Sequence, residues 1–353
     1  HELPQAYTTW PEAMKEAGIG GFQLFDATCG IPPGPIRYNS EEWHEMIKFT
    51  IKKAHSLGLK MCFHNCAGWS SSGGPWITPE TAMKKIVWSE IQISGKTNEQ
   101  SIINLPQPET VMNYYRDIIV LAFLTPGSER NNREGFRLKD WRSKAGHKYL
   151  GSMVGYERED RPSHDRRKIS EEDSISEDKI INLTSLLEKN NRINWNPPAG
   201  EWTIIRFGYT LTGTQNHPAP PEGEGLECDK LNQKGSRAHW HAIVAKVIED
   251  AGDLAEKTLD SILIDSYEAN VQNWTEGFDD EFKKRRGYEL FTYFPCITGR
   301  VVNDIQSSER FLFDFRRTIS DLYADNYYGY FAEMCRKNGL DLYVQPYGRS
   351  GNF

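Results

Sequence analysis

The sequence predicts an α/β fold, specifically part of a (β/α)8 TIM-type barrel with an inserted β-rich subdomain, and three observations carry that reading. Short apolar runs at Ile19–Phe25, Leu59–His64 and Leu259–Ile264 read as strands, the last of them buried on both faces at Ile262, Leu263 and Ile264. Helical periodicity lies between the first two, at Trp43, Ile47, Ile51 and Ala54. A long central stretch instead alternates short strands with polar loops.

In chain order, Ile19-Gly-Gly-Phe-Gln-Leu-Phe25 is the first strand. A Pro- and Gly-rich loop follows to Pro35, then a helix opening at Asn39 with Glu42 as a capping box and stopping at Gly58. Leu59–His64 completes a βαβ unit with parallel strands. A helical start is expected over 79–86, then strands at Val87–Ile93 and Asp117–Leu124, and a mobile charged loop from Ser128 to Asp178. The Asn196-Pro-Pro-Ala-Gly200 turn reads as a hairpin entering the strand Glu201–Tyr209. Helices are expected at 236–254, 279–286 and 309–338, leading into a sixth strand-like run, Leu340–Gln345. The domain division that follows is 1–88 for the first βα units, 89–212 for the β-rich insertion and 213–353 for the later βα units. A closed barrel needs eight strands, so this count reads as a catalytic region cut short on its C-terminal side.

Composition narrows the function. With 42 basic and 49 acidic side chains, a net charge of −7 and no clustered basic face, nucleic acid is excluded as the expected partner. No apolar run approaches the roughly 20 residues of a membrane span, and the first residue, His1, places the start inside a longer gene product. Six cysteines without a C-x-x-C pair read as thiols, not as a disulfide framework. Cys62, His64 and Cys66 alternate along one strand, a spacing that structural zinc seldom uses. The aromatic content, 12%, suits both sugar stacking and a large core.

The candidate chemistry gathers at strand ends. Leu259-Asp-Ser-Ile-Leu-Ile-Asp-Ser-Tyr-Glu-Ala269 runs out of a buried strand into Asp265 and Glu268, where barrels of this class place catalytic groups. Asp265 fits a turn cap as well. Asp26 ends the first strand in the same way, and His64 ends the second. In Asn65-Cys-Ala-Gly-Trp-Ser-Ser-Ser-Gly-Gly-Pro-Trp76, small residues let a ligand approach while Trp69 and Trp76 offer flat faces, either to a sugar or to the loop itself. Asp229, in Gly225-Leu-Glu-Cys-Asp-Lys-Leu231, can cap a helix, hold a cation or bind sugar hydroxyls. Gln345 and Tyr347 end the last strand, and Gln345 stands where a carboxylate would serve as a base.

Taken together, Gly18-Ile-Gly-Gly-Phe22, the Gly-Trp-x-x-x-Gly-Gly-Pro loop at 68–75, Pro-x-Gly-x-Trp-Thr at 198–203, Leu-Glu-Cys-Asp-Lys-Leu at 226–231, Asp-Ser-Tyr-Glu at 265–268 and Phe282-Lys-Lys-Arg-Arg-Gly-Tyr288 resemble glycoside hydrolase family 106, the bacterial α-L-rhamnosidases. That resemblance implies an inverting two-carboxylate hydrolase acting on an oligosaccharide or polysaccharide, with Glu268 as general acid. Beside it, from their places at strand ends and in the loops that follow, Asp265 reads as a tuning or substrate-contact group and Asp26, His64, Trp69, Trp76, Asp229, Gln345 and Tyr347 as substrate-binding candidates. A Ca2+ ion near the substrate hydroxyls and a periplasmic or secreted location follow from the same analogy, while no metal ligand is assigned and the oligomeric state stays open. An inverting pair stands about 6.5–9.5 Å apart, and the acid must keep its proton near neutral pH. The general base is expected beyond residue 353. Two other readings stay open: a base-deficient carbohydrate-binding protein of the same fold, and a barrel glycosidase for another sugar.

Overall fold

The computed structural model describes residues 5–30, 32–96, 101–131, 134–147 and 163–345. Its strands, in chain order, are β1 (Gly21–Leu24), β2 (Lys60–His64), β3 (Lys84–Gly95), β4 (Ser101–Asn104), β5 (Arg116–Leu124), β6 (Ile181–Asn182), β7 (Arg192–Trp195), β8 (Gly200–Leu211), β9 (Leu259–Ile264) and β10 (Asp341–Val344). The described chain divides into two compact units, the first made of the segments 5–83, 213–270 and 322–345, the second of 84–212 and 271–321. Residues 271–321, which the sequence pattern groups with the later βα units, join the second.

In the first unit, β1, β2, β9 and β10 form a four-stranded sheet in that order, every pairing parallel. Parallel neighbours need crossover connections, and helix Glu41–Leu57 supplies the one from β1 to β2. Its start differs from expectation: Ser40 is the N-cap, its Oγ accepting the Trp43 N–H at 3.2 Å. Asn39 cannot cap because it sits at φ 59°, whereas a cap residue is extended. Gly58 ends the helix at φ 68°, a left-handed turn that glycine adopts without steric cost. The helix buries Trp43, Ile47, Ile51 and Ala54, and Trp43 meets Phe63 of β2 edge-on. Helical segments at 233–251 are continuous apart from a π turn at Trp240–Val244, which turns Trp240, Ile243 and Val244 into the core. Among the described residues the sheet is open and no closed barrel forms.

In the second unit, β3, β8, β5 and β6 make an antiparallel sheet and β4 pairs with β7. The β3–β8 ladder runs from Lys84 against Leu211 to Gly95 against Gly200. The helix expected over 79–86 does not form. Residues 79–82 are a turn and bridge, and Lys84 already belongs to β3, because alternating burial along 88–95 fits one face of a sheet. The Asn196–Gly200 turn joins β7 to β8, yet β7 pairs with β4 and not with β8, so it is a crossover between two sheets and not a hairpin. Within the charged stretch 128–178, short helical turns form at Gly127–Asn131, Trp141–Lys144 and Glu171–Asp173, while 148–162 lie outside the described residues. Ile103, Val120, Ala122, Ile193, Trp202 and Ile204 form one hydrophobic cluster in this unit. All six cysteines are free thiols, five of them buried. No described helix is long and apolar enough to cross a membrane.

Candidate active site

Parallel pairing puts the carboxyl ends of β1, β2, β9 and β10 along one edge of the sheet, and the predicted polar residues follow those ends directly. Register fixes the neighbours: Leu24 lies beside Phe63, His64 beside Leu263 and Val344 beside Ile264. Asp26, His64, Asp265 and Gln345 therefore share the edge where open and closed parallel sheets build their ligand sites.

His64 is 1% exposed and stacks on Phe25 with centroids 4.4 Å apart. Its Nδ1 lies 2.6 Å from the Cys66 carbonyl, which identifies Nδ1 as the protonated nitrogen and turns Nε2 toward Asp265 Oδ2 at 3.9 Å. Burial lowers the imidazole's proton affinity, with the Cys66 carbonyl and Asp265 working against it. Beside it, the Asn65 side chain is buried, accepts the Ser72 hydroxyl at 3.2 Å and leaves its Nδ2 without a partner.

Asp26 takes the Trp43 indole N–H on Oδ1 at 3.4 Å. Burial pushes its pKa up to about 6, against that hydrogen bond, so this carboxyl titrates close to neutrality.

Asp265 accepts the N–H of Ser266 at 2.7 Å, and the Ser266 hydroxyl reaches Glu268 at 3.1 Å. Glu268 itself is half-buried, and its main-chain N–H donates to Ser70 O at 2.9 Å. The loop carrying the predicted acid is thereby tied to the Gly- and Ser-rich loop after β2.

From the motif at 226–231 the sequence pattern singles out Asp229 and passes over Glu227 and Lys230. Both of those side chains are fully buried and pair at 2.7 Å. Glu227 also accepts Ser70 Oγ at 2.7 Å and Ser72 N at 3.0 Å. Burial alone would raise the Glu227 carboxyl, but Lys230, Ser70 and Ser72 outweigh it and hold its proton affinity below the ordinary value; burial works against the Lys230 charge, and Glu227 with the neighbouring groups outweighs it and raises that proton affinity. Tyr267 and Tyr327 flank the ammonium, and Tyr327 Oη contacts the hydroxyls of Ser71 and Ser72. The i,i+3 spacing of an acid and a base inside Leu226–Leu231 was the available signal.

Trp76 is half-buried and donates from Nε1 to His239 Nδ1 at 3.2 Å, and His239 Nε2 reaches the Asn65 carbonyl at 2.8 Å. Burial lowers the His239 pKa to about 4 and keeps the ring neutral for this relay. Trp69 is half-buried, its N–H bonded to His217 O at 3.0 Å. Asp229 is 2% exposed, its Oδ1 accepting Leu231 N at 3.0 Å, while Asn232 caps the next helix. Gln345 donates its N–H to Ile264 O at 3.0 Å. Tyr347 lies outside the described residues.

The match to the family model for alpha-L-rhamnosidase, glycoside hydrolase family 106, spans residues 8–353. The chain belongs to this family. Among its relatives, a Formosa agariphila protein named "Putative beta-glucuronidase" is 44% identical over 339 residues, 95% of this chain and 28% of that protein. The solved rhamnosidase of Novosphingobium sp. PP1Y superposes with a TM-score of 0.80 at 24% identity, over 97% of this chain and 44% of that one. The mixed α/β fold is thus shared with a rhamnosidase, and the chain spans less than half the length of either protein. Membership in family 106 makes a carbohydrate the expected substrate class.

Proposed function

We propose that this family 106 chain carries the general acid of an inverting α-L-rhamnosidase, and that its four parallel strands are part of a (β/α)8 barrel. One observation carries the reading: Glu268 follows β9 at the carboxyl edge, on a loop fixed by Ser70 and beside Ser266 and Asp265. In this role the Glu268 carboxylic acid protonates the departing glycosidic oxygen as the C–O bond breaks, while a second carboxylate draws a proton from water attacking the opposite face. In this reading the partly exposed Asp265 orients a sugar hydroxyl with the buried His64 behind it at 3.9 Å, and Asp26, whose pKa of about 6 makes it an acceptor near neutral pH and a donor in acid, lies on the same edge. The second carboxylate is assigned to a strand end after Gln345, and the location of the whole protein to the bacterial periplasm or exterior.

Replacing Glu268 by Gln tests the assignment: turnover of an aryl α-L-rhamnoside should fall by about 10²–10⁴-fold with the fold retained. Full activity in that variant would remove Glu268 from the mechanism. The name of the Formosa relative favours a second reading, a uronic acid in place of rhamnose; a panel of aryl rhamnosides and glucuronides assayed under identical conditions separates the two. Among the described residues no group of three or more His, Cys, Asp or Glu side chains is placed to hold a metal ion, so a calcium ion there requires other ligands as well, carbonyl oxygens or groups outside those residues. Chelation followed by calcium back-titration tests that requirement.

A further inference from the structure

The second unit holds a cavity of about 810 Å³ that the proposed mechanism does not use, lined by Lys144, Arg167, Glu309, Arg310, Phe313 and Arg316 together with Asp165, Asp314 and other groups. Its volume lies in the range of about 300–1,000 Å³ common to ligand sites. Two of its cations are already matched. Lys144 Nζ donates to Glu309 Oε1 at 2.6 Å, and Arg167 pairs with Asp165 at the same distance.

Arg316 and Arg310 are not matched in this way. Arg316 donates from Nη1 to the Lys144 carbonyl at 2.7 Å, and its neighbouring carboxylate, Glu309, is the one Lys144 holds. Burial accordingly weakens the proton affinity of Arg316, with Glu309 offsetting only part of the effect. Among the described residues no carboxylate pairs with Arg310, which is exposed. Against these two stands Asp314, already accepting the Tyr288 hydroxyl at 3.1 Å. On the lining Lys144, Arg167, Arg310 and Arg316 stand against Asp165, Glu309 and Asp314, an excess of one positive charge within a chain whose net charge is −7. Phe313, on the same helix Ile305–Tyr323, is 60% exposed, a ring in the position of a platform for the apolar face of a pyranose.

We propose that this cavity binds an anionic sugar unit of the polysaccharide, its carboxylate or sulfate on Arg310 and Arg316 and its ring against Phe313. The saccharide part rests on the glycosidase reading above; the anionic part rests on the cavity. Guanidinium groups suit such oxyanions because they donate two parallel N–H bonds.

Calorimetry with the full chain tests it, using methyl β-D-glucuronide, methyl β-D-glucoside 6-sulfate and methyl β-D-glucoside in saturating L-rhamnose. The first or the second should bind, more weakly as salt is raised, and the tighter of the two identifies the natural anion. Arg310→Ala and Phe313→Ala should each weaken that binding roughly tenfold, the worth of one charge-assisted hydrogen bond or of one aromatic platform, without shifting the unfolding midpoint. Failure of both anions to bind, equal binding of the neutral glucoside, or unchanged affinity in both variants would overturn the proposal. Because neither variant touches Glu268, an active Glu268→Gln enzyme would refute the acid assignment and leave these binding results standing.

Discussion

The main-chain nitrogen of Glu268 and the carbonyl oxygen of Ser70 are joined by a 2.9 Å hydrogen bond, and the Ser70 hydroxyl is in turn held by Glu227. The loop bearing the proposed acid is thus anchored, two bonds away, to a fully buried ion pair. Positioning of this kind matters because an acid displaced by about 1 Å can lose about 10²-fold in rate.

Glu227→Gln should therefore cost stability and activity together. It leaves Lys230 buried without its counter-charge, a loss of about 3–5 kcal/mol by denaturant titration. The double variant Glu227→Gln/Lys230→Met should recover most of that stability, since an apolar side chain of similar size removes the unpaired charge. Activity should recover less, because Gln holds Ser70 and Ser72 with one acceptor oxygen in place of two. A double variant as unstable as the single would show that the pair contributes through packing and not through charge.

The elevated pKa of Asp26 gives a pH dependence with a definite sign. Its folded value, about 6, lies above the ordinary 3.8, so between those values the folded chain binds more protons than the unfolded one. The contribution is harmless at pH 4 and below, falls as pH rises through the interval, and is at its worst above pH 6. The shift corresponds to about 3 kcal/mol. Asp26→Asn, which keeps an acceptor for Trp43, should match wild type at pH 4 and exceed it by up to that amount at pH 8. Urea midpoints of the two proteins across this range decide it, and parallel curves would refute the prediction.

Gly68 is held at φ +76°, and a Cβ there would meet the His217 backbone carbon at 2.5 Å. Gly68 N also donates to Asp26 O at 2.7 Å. Gly68→Ala should cost at least about 1–3 kcal/mol from backbone strain and lower the rate as well, because the loop carrying Trp69 and Ser70 would shift. Thermal unfolding alongside kcat for the variant measures both effects, and an unchanged kcat would separate this loop from the chemistry.

The His239 ring tests the tautomer assigned to the Trp76 relay. With a pKa of about 4 it stays neutral at working pH, accepting from Trp76 and donating to the Asn65 carbonyl. Its folded value lies below the ordinary 6.5, so protonation in the unfolded chain removes stability as pH falls from about 6.5 toward 4. His239→Gln should flatten that part of the stability profile. Retention of the full slope in the variant would assign it to another group.

Much of the first unit was legible because its signals are local. The stripe Trp43, Ile47, Ile51 and Ala54 and the stop at Gly58 are short-range features, and both stand in the structure. The errors were local as well. Ser40 and not Asn39 caps the helix since the chain takes a left-handed step at Asn39, and 79–86 reads as helix only when the long β8 partner of β3 is out of view.

The residues themselves specified that the β9 run is buried and that Asp265 and Glu268 follow it, because hydrophobic pattern and turn chemistry act over a few positions. Only tertiary structure decided that Ser70 meets Glu227 across 157 positions, that His64 looks toward Asp265, and that residues 271–321 join the β-rich unit. Those relations depend on chain segments meeting in space, and a buried charge or an orphaned nitrogen acquires its meaning from neighbours that no short window contains.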